Sequence, residues 1–184
     1  VGTGVDPETM DIQKYELDNL VLWDSPGLGD GKEKDQIHAK GIIKKLNELD
    51  KDRRPLIDLV LVILDGSSRD LGTSYELINQ VIIPNLGEHA QERIVVAINQ
   101  ADMAMKGQHG DREANQPKQK LISFLEEKVR PVKERIKEAT GVDVDPIYYC
   151  AGYKEDDEKQ KPWNLSKLLF LIVNNTPLEK RLSY

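Results

Sequence analysis

Apolar residues fall into short strand-like runs and longer helical stripes, and their order along the chain predicts the fold. Ile12–Leu17 and Leu20–Trp23 are β-type runs around Asp18-Asn19, a two-residue spacer that suggests a hairpin over 11–24. The four residues Leu20-Val21-Leu22-Trp23 suit a strand buried on both faces, as in a parallel sheet. Leu56–Leu64, the most apolar stretch, predicts a central strand and ends in a turn, Asp65-Gly66-Ser67-Ser68. Arg93–Ile98 reads as a buried strand ending at Asn99, and Pro146–Tyr149 as the last strand, running into Cys150-Ala151-Gly152.

Between these runs the period changes to that of a helix. Gln36 to Leu49 places Ile37, Ile42, Ile43, Leu46 and Leu49 at helical spacing. Leu71–Leu86 predicts a second helix, with Thr73 or Ser74 near its start and Pro84 near its end. Lys118–Thr140 is amphipathic and closed by Gly141, while Pro131 inside it predicts a kink or a break. Trp163–Asn174 puts Leu165, Leu168, Leu169 and Ile172 on one stripe, which predicts packing on the sheet rather than on a membrane. Residues 1–10, 25–34, 103–116 and 154–161 are polar or rich in Gly, and read as loops. Strands alternating with helices after a hairpin predict a doubly wound α/β sheet.

Composition narrows the classes of function. The 184 residues, 39% hydrophobic and 32% charged, suit one globular domain with a substantial core. A net charge of −6 argues against a surface built to neutralise phosphates, so DNA is not an expected partner. The lone Cys150 excludes an internal disulfide framework and suits a reducing, cytoplasmic setting. It reads as a small buried residue. No apolar run approaches the roughly 18–20 residues of a transmembrane segment. His38, His89 and His109 show no metal-ligand spacing and are expected at the surface or at helix ends. The Lys/Glu alternation over 118–137 reads as a solvated helix face.

Three short motifs each follow a strand directly: Asp24-Ser25-Pro26-Gly27, Asn99-Gln100-Ala101-Asp102 and Cys150-Ala151-Gly152. Each alone is a common turn. Their order, at the strand ends where open α/β sheets bind ligands, is far less common. Together they resemble the G domain of bacterial Era/TrmE-type GTPases, often described as ribosome-associated, and the resemblance covers essentially 1–175. It implies a P-loop NTPase-like, doubly wound, mostly parallel sheet, with GTP or GDP as ligand and Mg2+ as cofactor. Asp24 would hold Mg2+ through water, the Gly27 amide would report the γ-phosphate, and Asn99, Gln100 and Asp102 would form the guanine-recognition motif. A fixed Asp102 carboxylate accepts two hydrogen bonds from guanine's donor edge, which adenine lacks. Such bonds are worth roughly 1.5–3 kcal/mol each, enough to choose a base. Gln100 stands where the family has lysine, so it covers the ring without charge. Cys150 and Ala151 match the short motif whose alanine amide bonds the guanine oxygen.

The resemblance also names a Mg2+-ligating threonine, for which Thr3 is the candidate, 24 − 3 = 21 residues ahead of Asp24, with Thr9 its competitor. Leu28 occupies the place of a catalytic glutamine and cannot orient water, so no catalytic residue is assigned. Activation would come from elsewhere, such as a partner, a potassium ion or a dimer. The phosphate-binding signature Gly-x-x-x-x-Gly-Lys-[Ser/Thr] does not occur in the sequence. The expectation is therefore a single partial G domain over 1–184, without the first strand, P-loop and first helix. Its parts are a switch loop 1–10, the hairpin 11–24, switch II 24–35 and guanine motifs at 99–102 and 150–152. The parent activity is GTP hydrolysis coupled to a switch, expected to be impaired here, with guanine nucleotide and a ribosome or protein as partners. The alternatives are a non-catalytic remnant acting as an interaction module and an unrelated α/β binding domain. Without the first strand, Leu20–Trp23 and Asp58–Leu64 should each expose an edge, leaving the hairpin poorly anchored.

Overall fold

A computed structural model describes residues 12–29, 31–68, 71–101, 110–111, 116–155, 158–178 and 180. The expected hairpin forms: β1 (Gln13–Leu17) pairs antiparallel with β2 (Leu20–Asp24) across the Asp18-Asn19 turn. Helix α1 (Lys32–Leu46) follows and buries His38, Ile42 and Leu46, one residue every four along a single stripe. After β3 (Val60–Asp65) the chain turns helical from Gly72 to Asn85. This segment changes pitch twice, from the α2 turn (Gly72–Glu76) through a π-helical stretch (Leu77–Ile82) to a 3-10 turn at Ile83–Asn85. Pro84 at the last turn lacks the N–H a continuing α-helix would need.

β4 (Ile94–Asn99) lies at the centre of a parallel sheet, between β3 and the short β7 (Ile147–Tyr148). β3 is therefore an edge strand and not the central one its apolarity suggested, since among the described residues only β4 pairs with it. β5 (Gly110–Asp111) and β6 (Gln116–Pro117) form a two-residue pairing inside the stretch read as a loop. Of the kink or break expected at Pro131, the break does not occur: helix α3 (Gln119–Thr140) runs through it as one helix. Its stripe of Leu121, Leu125, Val132 and Ile136 is buried, and that packing outweighs one lost hydrogen bond. Gly141, at φ 75°, ends it in the left-handed region. β8 (Tyr153–Glu155) and β9 (Glu158–Gln160) pair as a hairpin where a plain loop was expected. Helix α4 (Leu165–Asn175) closes the fold. No helix among the described residues is long and apolar enough to cross a membrane.

The result is a mixed α/β fold with helices on both faces of three parallel strands, and the two faces are unequal. Val62, Leu64, Ile94, Val96 and Ile98 share one core with α1, the Leu77–Asn85 turns and the second half of α3. On the other face Val95, Ala97, Ile147 and Tyr149 meet Leu168 of α4. In register beside them, Leu61 and Ile63 of β3 stay 37% and 54% exposed. They forgo part of the roughly 1.5–3 kcal/mol that full burial of such a side chain gives. The stripe on α4 is likewise wider than what is buried, because Leu165 and Leu169 are exposed.

The hairpin makes a separate two-stranded sheet. Val21 and Leu22 are exposed, so β2 is not the doubly buried strand its four apolar residues suggested. It is held by α1 instead of by β3. Ile12 packs against the larger core, and the Lys45 ammonium sits 3.7 Å from the Trp23 ring centroid. Two strands alone are marginal in water, so the hairpin should open without the core. Amides of Val21 and Trp23 should exchange with solvent at least about tenfold faster than those of Val96 and Ile98. Equal protection in a monomer, read by NMR hydrogen exchange, would mean that another element covers the hairpin.

Candidate functional site

The carboxyl ends of β3, β4 and β7 bring three turns together. Asp65 and Asn99 are register neighbours at the ends of β3 and β4. The chain after β3 then leans directly on the chain after β4, with the Gly66 N–H donating to the Asn99 carbonyl at 2.8 Å. A Cβ at Gly66 would lie 2.4 Å from that carbonyl oxygen, so only glycine permits the approach. On the other side the Ala151 N–H donates to Asn99 Oδ1 at 3.3 Å, and the Ala101 N–H to the Tyr149 carbonyl at 3.2 Å. Asn99 is thus tied to both neighbouring turns. Gln100 follows at φ 52°, a left-handed backbone that a residue with a Cβ adopts only when its surroundings demand it.

Each turn has its own brace. The Asp65 carboxylate accepts the Ser67 N–H at 2.8 Å and the Ser67 hydroxyl at 2.7 Å. Burial pushes this carboxyl up, but the Ser67 and Ser68 donors and the Lys128 charge outweigh it and hold it below the usual carboxylate range. Lys128 reaches over from α3 and donates to the carbonyls of Gly66 and Ser68 at 2.5 and 2.9 Å. Burial pulls its ammonium down in pKa, and Asp65 opposes the shift. The 150–152 turn is held by Cys150, whose N–H and C=O both pair with Trp163, and by the Asn164 side chain on the Tyr148 carbonyl. Cys150 itself is 2% exposed, as its small size suggested.

The other expected residues lie elsewhere on the chain. Asp24 is an exposed carboxylate at the end of β2, opposite Gln13. Gly27 has its carbonyl 3.1 Å from His38 Nδ1, and the Gly29 N–H donates to Asp35 at 2.8 Å. His38 is 5% exposed, which corrects the expectation of a surface or helix-end histidine. Burial is tolerable because a ring N–H meets a carbonyl. Thr3, Thr9, Asp102 and His109 lie outside the described residues. Among the described residues no group of three His, Cys, Asp or Glu is placed to hold a metal ion.

Asp65, Gly66 and Lys128 are the residues that sequence reasoning passed over. Asp-Gly-Ser after the most apolar strand was the available signal, since it stands where ligands of such sheets bind. Lys128 carried no signal, being one lysine among many on a charged helix. A scan against protein-family models and searches of curated proteins and of solved structures found no match for this chain.

The Gly66 contact can be tested directly. Gly66→Ala should destabilise the fold by about 1–3 kcal/mol, the usual cost of forcing a methyl into a packed place. It should also move the Asn99 and Ala151 amide resonances. A variant as stable as its parent in urea, with those resonances unmoved, would show that the two turns do not touch.

Proposed function

We propose that this chain is the base-recognition and switch portion of a G domain, binding GTP or GDP chiefly through the guanine ring. One observation carries the reading. Asn99 and Ala151, 52 residues apart in sequence, are hydrogen-bonded to each other at the carboxyl edge of a parallel sheet. They belong to the two motifs that the resemblance assigns to guanine. In this reading Asp102 accepts the guanine donors, Gln100 lies against the ring, and the Ala151 N–H turns to the guanine oxygen. The bond that this amide now makes, at 3.3 Å, is long and readily yielded. Asp24 holds Mg2+ through water, Thr3 supplies a direct ligand, and the Gly27 amide faces the terminal phosphate. A Cβ at Gly27 would meet nothing within 4 Å, so packing does not account for that glycine.

The phosphates are less well provided for. The signature of a phosphate-binding loop does not occur in the 184 residues. The outer edge of β3, with Leu61 and Ile63 beside it, is where a strand bearing such a loop would pair. The same open edge favours a second reading, an interaction module that takes a partner's strand by β-augmentation. A net charge of −6 makes that partner a protein surface more readily than ribosomal RNA, and association with a ribosome rests on the family resemblance alone. The lone buried cysteine is in keeping with a cytoplasmic setting.

Titration of a fluorescent GTP analogue, with and without Mg2+, separates these readings. GTP should displace it and ATP should not; equal displacement by ATP would sink the assignment of 99–102. Asp102→Asn should weaken GTP by about tenfold or more and improve xanthosine triphosphate, whose extra carbonyl complements the amide. Hydrolysis by the chain should not exceed that in buffer. Phosphate release that Asp24→Ala abolishes would show that the phosphates are held after all.

A further inference from the structure

Among the described residues two polar side chains are buried, Thr176 and His38. The Thr176 hydroxyl donates to the Ile172 carbonyl one turn back, which accounts for it locally. The His38 partner is eleven residues away, in the loop that follows β2. A carbonyl can only accept, so the 3.1 Å contact with Gly27 requires the proton on Nδ1. The same loop is held a second time by α1, through the Gly29 N–H on Asp35 Oδ1 at 2.8 Å. His38 heads the buried stripe that continues through Ile42 and Leu46 into the larger core. The inner side of the loop is therefore clasped at two points, while the positions a Cβ would take at Gly27 and Gly29 face open space.

We propose that His38 is a positioning residue, whose Nδ1–H locks the Gly27 carbonyl so that the Pro26–Gly29 loop and α1 move as one body. Because a trans peptide sets its N–H opposite its C=O, fixing the Gly27 carbonyl turns the Leu28 N–H away from α1. Any ligand that displaces the loop must then shift the His38–Ile42–Leu46 stripe with it. What the open face of Gly27 meets rests on the nucleotide reading above; the lock itself does not.

The test uses the full 184-residue chain without nucleotide. The Gly29 amide is the reporter, since its acceptor Asp35 is left intact. His38→Leu removes the donor, and His38→Asn keeps an N–H donor near the position of Nδ1. Hydrogen exchange at Gly29 should rise by about tenfold or more in His38→Leu and stay within about threefold of the parent in His38→Asn. Protection at Ile42 and Val96 should persist in both. In the parent, ring 15N shifts should report the Nδ1–H tautomer. Unchanged Gly29 exchange in His38→Leu, failure of His38→Asn to restore it in a folded protein, or an Nε2–H ring would each overturn the proposal. Should both variants unfold, the parent's tautomer decides it. A chain that shows this pattern and binds no nucleotide keeps the lock and loses the nucleotide reading.

Discussion

Asn99 ties together the three turns at the carboxyl end of the parallel sheet. Its carbonyl accepts from Gly66 and its side chain accepts from Ala151, so the turns after β3 and β7 both close on the end of β4. Neither bond is strong alone, since a neutral hydrogen bond contributes about 0.5–1.5 kcal/mol net. Their effect is geometric. Parallel strands offer no short hairpins to fix their relative ends, so the alignment of these turns has to come from contacts of this kind.

Helix α1 plays the corresponding part for the hairpin. Among the described residues β1 and β2 pair only with each other, and the larger core reaches them through Ile12, through Trp23 under Lys45 and through the loop held by His38 and Asp35. Asp24 and Gly27 are thereby placed by a helix, whereas Asn99 and Ala151 are placed by the sheet. The two halves of the proposed site depend on different parts of the core.

The sheet itself is finished on one side only. On the face covered by α1 and α3, Val62, Leu64, Ile94, Val96 and Ile98 are buried and Val60 is half-buried, while Leu61 and Ile63 on the opposite face stay in contact with water. Beside them the backbone of β3 pairs only with β4 among the described residues. Apolar side chains next to unpaired backbone groups are a natural place for another strand to pair, whether it comes from a longer chain or from a partner.

Much of this was legible from residue order. Alternation and stripes located both strands of the hairpin, the three parallel strands and the main helices, because burial in an α/β fold imposes those periods locally. The three motifs stood out for the same reason, each lying at the end of a recognisable strand. The open edge of β3 was an expectation from the resemblance to a G domain without its first strand; periodicity in the sequence could not show it, since Val60–Leu64 is equally apolar whether or not a neighbour pairs with it. Nor could it show that the helix through Pro131 stays whole, which depends on how well Val132 and Ile136 are buried beyond it. The roles of His38, Gly66 and Lys128 were also out of reach, because each is defined by a partner 11 to 62 residues away. Periodicity is a property of neighbours in sequence, and those partnerships exist only once the tertiary fold has brought distant backbone groups within hydrogen-bond reach.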